Sequence, residues 1–281
     1  MSVFVFPGQG SQRKGMGAGL FDLFPALISQ ADNILGYSVK SLCLEDPENK
    51  LNQTQYTQPA LYTVNVLTYY KKTLDAAMLP DYVAGHSLGE YNALLAAGVF
   101  DFATGLALVK KRGELMSQAQ GGGMAAIIGL SADQIKSLLQ ENNLNDVVIA
   151  NYNSFTQTVI SGAKASVLSA QSIFEKSGGM VFPLNVSGAF HSPLMMRAQN
   201  VFAEFLSGFS FKTPTVPVLS NITAQPYDAF EINKKLAGQI TGAVRWTEII
   251  QYLLDKGEQN FEEVGPGQVL TGLIQRIKKG Q

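Results

Sequence analysis

A serine flanked by two glycines is the clearest chemical signal in this sequence. Gly85-His86-Ser87-Leu88-Gly89 fits the pattern G-x-S-x-G, which presents a serine nucleophile on a sharp turn between a strand and a helix. The apolar run 82–84 predicts the end of a buried strand, and 90–97 is rich in helix formers and is followed by Gly98. The pattern alone also occurs by chance in loops, but these flanking elements favour Ser87 as a nucleophile.

A serine nucleophile needs a base within hydrogen-bonding reach, and the sequence contains two histidines. His86 is adjacent to Ser87, and neighbouring side chains on a sharp turn point apart, so we expect His86 to pack beside the turn and support it. His191 is therefore predicted to be the base, by elimination. The alternative is that His191 is a core or helix-capping histidine.

A third member of a catalytic triad is not evident. Three aspartates lie between Ser87 and His191, namely Asp101, Asp133 and Asp146, and they are predicted to fall at a helix cap, a first helical turn and a loop. None of these positions suits a partner for the imidazole. A backbone carbonyl can accept the Nδ1 proton instead, so we expect a Ser-His dyad.

An oxyanion hole requires two backbone N–H groups. One is expected from Leu88, the residue after the nucleophile. The glycine-rich loop Gly8-Gln9-Gly10, which follows the first predicted strand, is the natural source of the second. The same loop is equally consistent with a plain strand-to-helix turn.

An arginine lies on the apolar face of a predicted helix from Asp101 to Gln118. At 100° per residue, Arg112 falls in the middle of that face, among Leu108, Val109, Leu115 and Met116. A buried guanidinium needs an anionic partner. Three explanations stay open: a structural salt bridge, a side chain that reaches out to solvent, and a fork that binds a substrate carboxylate.

Composition restricts the class of protein. The 281 residues suffice for one large or two smaller domains, and 46% apolar residues can form a substantial core. The net charge of −1 gives no reason to expect nucleic acid or an anionic membrane as a partner. The single cysteine, Cys43, excludes an internal disulfide, and no apolar run reaches about 18 residues. From its opening residues we expect no leader segment. We expect a cytoplasmic protein.

The pattern of elements changes after the glycines at 121–123. Strands are predicted at 124–130, 147–150, 158–162 and 180–184, with helices at 131–142 and 164–176 and a turn at Asn153-Ser154. This β-α-β-β-α-β order within about 65 residues is typical of a ferredoxin-like domain. We expect residues 123–187 to be this small domain, inserted into a large α/β domain formed by 1–122 and 188–281.

Several motifs in order resemble the malonyl-CoA:acyl carrier protein transacylases, including the acyltransferases of polyketide synthases. They are the run 6–12 (FPGQGSQ), the run 85–90 (GHSLGE), Arg112-Gly113, and the run 264–273 (VGPGQVLTGL). The resemblance covers essentially the whole chain. It implies a large α/β-hydrolase-like domain with a small ferredoxin-like domain.

The resemblance also implies roles for the residues that match the family's motifs. Ser87 would carry the acyl ester, His191 would act as its base, and Arg112 would bind the malonyl carboxylate. Gln9 and Leu88 would supply the N–H groups of the oxyanion hole. No metal and no cofactor is expected.

Three further positions take their expected roles from the family alone. The main-chain carbonyl of Gln239 would orient the histidine, and Asn153 would place a polar side chain near the site. Phe190, directly before His191, together with Leu88, is typical of malonyl rather than methylmalonyl specificity, because a bulky ring crowds a 2-methyl group.

We therefore expect a discrete enzyme that moves malonyl from malonyl-CoA to the phosphopantetheine thiol of an acyl carrier protein. The chain end and Phe190 favour an acyltransferase that serves a polyketide synthase in trans, as in disorazole-type pathways. Fatty acid synthesis is the alternative pathway. An editing acyl-thioester hydrolase with the same dyad, and a catalytically silent docking subunit, are alternative functions.

The sequence leaves the cognate carrier protein, its docking surface and the oligomeric state open. Carrier proteins are usually acidic, so basic residues are candidates for the docking surface, although each is equally a solvated helix residue. They are Lys110, Lys111, Arg276, Lys278 and Lys279.

Overall fold

The computed structural model describes residues 2–76, 79–186 and 188–281, and within them the chain forms eight strands and eleven α-helices. The strands are β1 (Val3–Phe6), β2 (Tyr82–Gly85), β3 (Gly122–Ile128), β4 (Val148–Ser154), β5 (Gln157–Ala163), β6 (Met180–Pro183), β7 (Val218–Leu219) and β8 (Phe261–Glu263). The helices are α1 (Pro25–Leu35), α2 (Val39–Leu44), α3 (Thr54–Ala76), α4 (Gly89–Ala96), α5 (Phe102–Ser117), α6 (Ala132–Glu141), α7 (Lys164–Lys176), α8 (Met196–Leu206), α9 (Ile232–Gly238), α10 (Trp246–Asp255) and α11 (Val269–Lys278). In this described part of the chain, no helix is both long and apolar enough to cross a membrane.

The larger sheet is parallel and is buried on both faces. Its strand order is β7-β2-β1-β8, and β1 pairs with β2 from Val3–Tyr82 to Phe6–Gly85. Phe4 and Phe6 point into a core shared with α3 and α5, whereas Val3 and Val5 point into a second core shared with α10 and α11. Helices on both faces explain why β1 is an uninterrupted apolar run.

The carboxyl ends of the parallel strands bring distant segments together. The loop 8–10 follows β1, Ser87 follows β2, and Asn221 follows β7. Since these three strands are neighbours in one parallel sheet, the segments meet at the same edge. Open α/β sheets place ligand sites at this edge.

The smaller sheet is antiparallel and has the ferredoxin-like order. Its strands run β4-β5-β3-β6, and α6 and α7 cover one face with a core that includes Ile127, Ile160 and Phe174. Ser131 caps α6 with a capping box that includes Gln134, which explains why this helix begins where the sequence predicts. The α/β fold with a ferredoxin-like unit is confirmed.

Some local predictions were wrong. The turn expected at Asn153-Ser154 lies two residues later, because β4 continues through Ser154 and the chain reverses at 155–156. The apolar run 216–219 contains a strand of only two residues, β7. The domain boundaries after 122 and before 188 stay predictions, and Ser187 lies outside the described residues.

The smaller sheet is joined to the segment that precedes α10. Tyr152 of β4 donates its backbone N–H to Val244 O at 2.9 Å, and Val244 donates its backbone N–H to Ala150 O at 2.8 Å. The Thr247 hydroxyl also donates to Tyr152 O at 2.9 Å. These bonds fix the end of β4, and therefore Asn153, beside the site edge of the larger sheet.

Candidate active site

The turn that carries Ser87 accommodates only glycine at positions 85 and 89. The φ of Ser87 is 51°, in the left-handed region. A Cβ at Gly85 would lie 1.9 Å from the backbone of Gly89, and a Cβ at Gly89 would lie 2.0 Å from Phe6 O. The two glycines thus allow β1, β2 and the start of α4 to come into backbone contact, as a nucleophile elbow requires.

Asn221, in the segment that follows the neighbouring strand β7, stabilises this turn. Its Oδ1 accepts the Ser87 backbone N–H at 2.7 Å, and its Nδ2 donates to Gly85 O at 2.7 Å. Both bonds belong to main-chain groups of the turn, so one side chain stabilises the strained backbone around the serine. Asn221 was not among the residues predicted from the sequence, although its position after a parallel strand is a recognisable signal.

The structure brings His191 to Ser87. His191 Nε2 lies 2.8 Å from Ser87 Oγ, and Nδ1 lies 2.9 Å from Gln239 O and 3.0 Å from Gly242 O. Carbonyls only accept hydrogen bonds, so the proton resides on Nδ1 and the unprotonated Nε2 accepts from the serine hydroxyl. Two carbonyls thus occupy the position that an acid takes in a triad.

The environment of His191 keeps its imidazole neutral. Burial, and secondarily the charge of Arg112, lower the pKa of His191 to about 3. A neutral imidazole with a free Nε2 is the form that accepts a proton, so at neutral pH this histidine is in the basic form.

Arg112 lies beside the serine and is buried. Its Nη2 donates to Ser87 Oγ at 3.1 Å and to Gln239 Oε1 at 2.9 Å, and its Nη1 donates to Gln58 Oε1 at 2.8 Å. Only 1% of the residue is exposed, and no carboxylate among the described residues forms an ion pair with it. Of the three explanations left open by the sequence, this geometry fits neither a structural salt bridge nor a solvent-directed side chain.

A buried carboxylate, missed in the sequence analysis, lies behind the site. Glu90, in the first turn of α4, is fully buried, and it accepts hydrogen bonds from Asn221 N, Tyr227 Oη and Gln239 Nε2. Burial raises the pKa of Glu90 to about 7, against the opposing effect of these donors and of Arg112. Its place directly after the G-x-S-x-G pattern was the only sequence signal.

The candidate oxyanion donors face one another across β1 and β2. A Cβ at Gly8 would lie 2.3 Å from His86 O and 3.6 Å from Leu88 N, so the loop after β1 lies against the turn. Within the described ranges, the backbone N–H groups of Gln9 and Leu88 have no hydrogen-bond acceptor. Two unengaged N–H groups on adjacent loops suit an oxyanion.

Asn153 contacts the turn through His86 rather than through the serine. Its Oδ1 lies 2.8 Å from His86 Nε2, and the His86 ring packs 5.6 Å from that of Trp246. A cleft of about 220 Å³ between the loop after β1 and the smaller sheet is lined by Gln9, His86 and Asn153. His86 therefore supports the turn, and Asn153 lies in a cleft that reaches it.

Phe190 is buried beside the histidine segment. Only 5% of it is exposed, and a Cβ at Gly188 would lie 3.0 Å from its ring.

The described residues contain no group of three or more His, Cys, Asp or Glu side chains that could hold a metal ion.

Comparisons with known proteins show the family to which this chain belongs. Residues 3–280 match the family model "Acyl transferase domain". The chain is 58% identical to the polyketide biosynthesis malonyl CoA-acyl carrier protein transacylase PksC of Bacillus subtilis (99% of this chain, 98% of that protein), and 40% identical to the malonyl CoA-acyl carrier protein transacylase of the same organism (99% and 90%). The crystal structure of a malonyl CoA-acyl carrier protein transacylase from Burkholderia pseudomallei superimposes with a TM-score of 0.97 at 51% identity, covering 100% of this chain and 99% of that one. The chain belongs to the acyl transferase domain family.

Proposed function

We propose that this protein transfers a malonyl group from malonyl-CoA to the phosphopantetheine thiol of an acyl carrier protein, through an ester on Ser87. The observation that carries the proposal is the guanidinium of Arg112, whose Nη2 lies 3.1 Å from Ser87 Oγ. A buried cation beside a nucleophile suits an acyl group that carries its own carboxylate. The names of the relatives, malonyl CoA-acyl carrier protein transacylases, support the same substrate and acceptor.

In the first half-reaction, Ser87 Oγ attacks the thioester carbonyl while its proton moves to His191 Nε2. The Nδ1 proton stays on His191, between the carbonyls of Gln239 and Gly242, and stabilises the imidazolium that forms. The N–H groups of Gln9 and Leu88 donate to the oxyanion of the tetrahedral intermediate. When the C–S bond breaks, the CoA thiolate takes the Nε2 proton, leaving malonyl-Ser87.

In the second half-reaction, the carrier protein's thiol replaces the CoA thiol. Its proton moves to His191 Nε2 as its sulfur attacks the malonyl ester, and Ser87 recovers that proton as the C–O bond breaks. Arg112 binds the malonyl carboxylate in both halves, so it discriminates against acyl groups without a carboxylate. The residues of the chain supply every proton transfer, so the proposal requires neither a metal nor another cofactor.

We further propose that the protein supplies polyketide synthesis in trans. The higher identity to the polyketide transacylase of Bacillus subtilis, 58% against 40% for another transacylase of that organism, supports this pathway. In this protein, residues 123–187 would form a small domain inserted into a large domain made of 1–122 and 188–281. A single buried cysteine, Cys43, is consistent with the reducing cytoplasm.

The test is intact-mass measurement after incubation with malonyl-CoA. One malonyl adduct is expected, and it should disappear when a carrier protein with its phosphopantetheine arm is added, as the carrier gains the same mass. Ser87→Ala should give no adduct, whereas the control Ser207→Ala, at an exposed serine after α8, should react normally. An adduct on Ser87→Ala overturns the assignment, and release of malonate without transfer favours the editing hydrolase.

A further inference from the structure

Glu90 is a buried carboxylate that the mechanism above does not use. It has no cation in hydrogen-bonding contact within the described residues, yet three donors surround it. Oε1 accepts from Asn221 N and from Tyr227 Oη, both at 2.8 Å, and Oε2 accepts from Gln239 Nε2. An environment made only of donors favours the ionised carboxylate, which offsets part of the cost of burying it.

The side chain of Gln239 connects this carboxylate to the nucleophile and to Arg112. Its Nε2 donates one hydrogen to Glu90 Oε2 and the other to Ser87 O at 2.8 Å. Its Oε1 accepts from Arg112 Nη2 at 2.9 Å. Since a carboxylate and a carbonyl can only accept, they determine the orientation of the amide, with its oxygen directed at the guanidinium.

We propose that Glu90 is a positioning residue for Arg112, and that it acts by fixing the amide of Gln239. This inference rests on the proposed function, in which Arg112 binds the acyl carboxylate.

The indirect connection has a physical advantage over a direct ion pair. The two Nη atoms of Arg112 are held by neutral amide oxygens of Gln58 and Gln239, and Nε has no acceptor among the described residues. A direct contact with Glu90 would neutralise the guanidinium and would compete with a substrate carboxylate. Separated by one amide, the anion still balances a buried cation while leaving its charge for the substrate.

Glu90→Gln tests this role specifically. The new side chain has the same shape as glutamate, but an NH₂ donor replaces one of the two acceptor oxygens. Whichever way the new amide lies, its NH₂ faces an N–H of either Asn221 or Gln239. The Asn221 N–H is fixed in the backbone, whereas the amide of Gln239 can turn over. A turned amide directs Nε2 at Arg112, so that a donor faces a donor and the guanidinium loses its position.

The experiment compares kcat/KM for malonyl-CoA and for acetyl-CoA, which has no carboxylate. In Glu90→Gln the malonyl value should fall by roughly tenfold or more, chiefly through KM, while the acetyl value stays within about threefold. The matched control is Glu263→Gln. Glu263 likewise accepts three hydrogen bonds, from Leu270 N, Thr271 N and Thr271 Oγ1, and its substitution should lower the melting temperature without changing the malonyl-to-acetyl ratio.

Equal losses for both substrates, or an unchanged ratio, would overturn the positioning role. A wild-type protein that forms no malonyl adduct would instead refute the proposed function, so the two failures are distinguishable.

A pH series on the wild type keeps the proposal testable if Glu90→Gln does not fold. Protonation of Glu90 removes its charge and adds an O–H donor among groups that donate to it, which weakens the hydrogen bond from Gln239 Nε2. The malonyl-to-acetyl ratio should therefore fall as the pH decreases from 8 to 5. The other ionisable groups facing Glu90 are Tyr91, Tyr227 and, through Gln239, Arg112. Burial raises the pKa of both tyrosines, and the guanidinium stays protonated, so none of them titrates in this range. His191 serves both substrates and cancels in the ratio, and a constant ratio would overturn the proposal.

Discussion

Ser87 and His191 both adopt left-handed backbone conformations, with φ of 51° and 57°, and their side chains meet at 2.8 Å. Neither is a glycine, so each backbone is strained. For a single residue in the left-handed region, this strain costs about 1 kcal/mol or more of conformational free energy. Their backbone N–H groups are bonded to Asn221 Oδ1 and Ile240 O, respectively. The tertiary structure therefore maintains two strained residues whose side chains form the candidate dyad.

The strain at Ser87 should be measurable as a stability difference between two inactive variants. Neither Ser87→Gly nor Ser87→Ala has a nucleophile, so neither should form a malonyl adduct. Glycine tolerates φ of 51°, so Ser87→Gly should be more stable than Ser87→Ala by about 1 kcal/mol in chemical denaturation. Ser169, exposed within α7, is the matched control, because there glycine should be the less stable of the pair by about 1 kcal/mol. The same sign at both positions would contradict a strained elbow.

The pH dependence of acylation should reflect the lowered pKa of His191. The neutral imidazole is the base, so kcat/KM falls as the pH drops through that pKa, which burial lowers from 6.5 to about 3. Acetyl-CoA is the appropriate substrate because it avoids any contribution from carboxylate binding. Its kcat/KM should stay nearly constant from pH 8 to 5.

The control for this profile is the melting temperature at each pH. The unfolded chain binds a proton at His191 near pH 6.5 that the folded chain does not bind, so stability declines as the pH falls below that value. Half-loss of activity near pH 6.5, in protein that is still folded, would show that the imidazole has an ordinary pKa.

The parts of the site that the sequence predicted are those with local or compositional signals. The turn at 85–89 was predicted from two glycines at a fixed spacing. His191 was predicted to be the base because the sequence contains one histidine besides His86. Arg112 stood out because a charge on an apolar helical face is unusual. Each of these inferences needs only residues within a few positions, or a count over the chain.

The supporting groups had no such signal because they are joined across the fold. Glu90 meets Asn221 and Gln239 across 131 and 149 residues of sequence, and Gln239 meets Ser87 across 152. Glutamate in a first helical turn is ordinary, and only the three-dimensional structure shows that it is fully buried. Similarly, β7 is two residues long, too short for alternation or length to define its ends.

Substitution of Asn221 should lower the acylation rate equally for malonyl-CoA and acetyl-CoA, whereas substitution of Glu90 should lower it chiefly for malonyl-CoA. Asn221→Ala removes the acceptor of the Ser87 N–H and the donor to Gly85 O, so the turn loses both of the hydrogen bonds that Asn221 makes with it. We expect kcat for malonyl-CoA and acetyl-CoA to fall together by roughly tenfold or more, with a loss of about 2 kcal/mol in the free energy of unfolding. Single-turnover acylation with the two substrates checks the first expectation, and denaturant titration checks the second.

Asn233→Ala is the control for this variant. Asn233 also donates to a backbone carbonyl, Leu206 O at 3.0 Å, but it does not contact the turn. It should cost about 1 kcal/mol and leave the acylation rates unchanged. A change in the malonyl-to-acetyl ratio in Asn221→Ala would mean that this residue acts on Arg112 instead.

Arg112→Ala should reverse the preference for malonyl over acetyl. Removal of the only cation that donates to Ser87 Oγ among the described residues should lower malonyl kcat/KM by about a hundredfold or more, because the substrate carboxylate is then buried without a partner. Acetyl transfer should be spared or increased. Lys111→Ala, at the preceding residue of α5, should leave the ratio unchanged. An equal loss for both substrates would make Arg112 structural.

Phe190 should limit the size of the substituent at the malonyl C2. Phe190 directly precedes His191, and its ring is buried against the Gly188 backbone. The ring therefore has little room to move away from a 2-methyl group. Phe190→Ala should raise the methylmalonyl-to-malonyl ratio of kcat/KM by roughly tenfold, since one methyl group is worth about 1–3 kcal/mol. Phe211→Ala, which removes a ring packed against Phe100 at 5.8 Å, should destabilise the protein without changing this ratio. If both variants, or neither, shift the ratio, the discrimination does not come from a contact with Phe190.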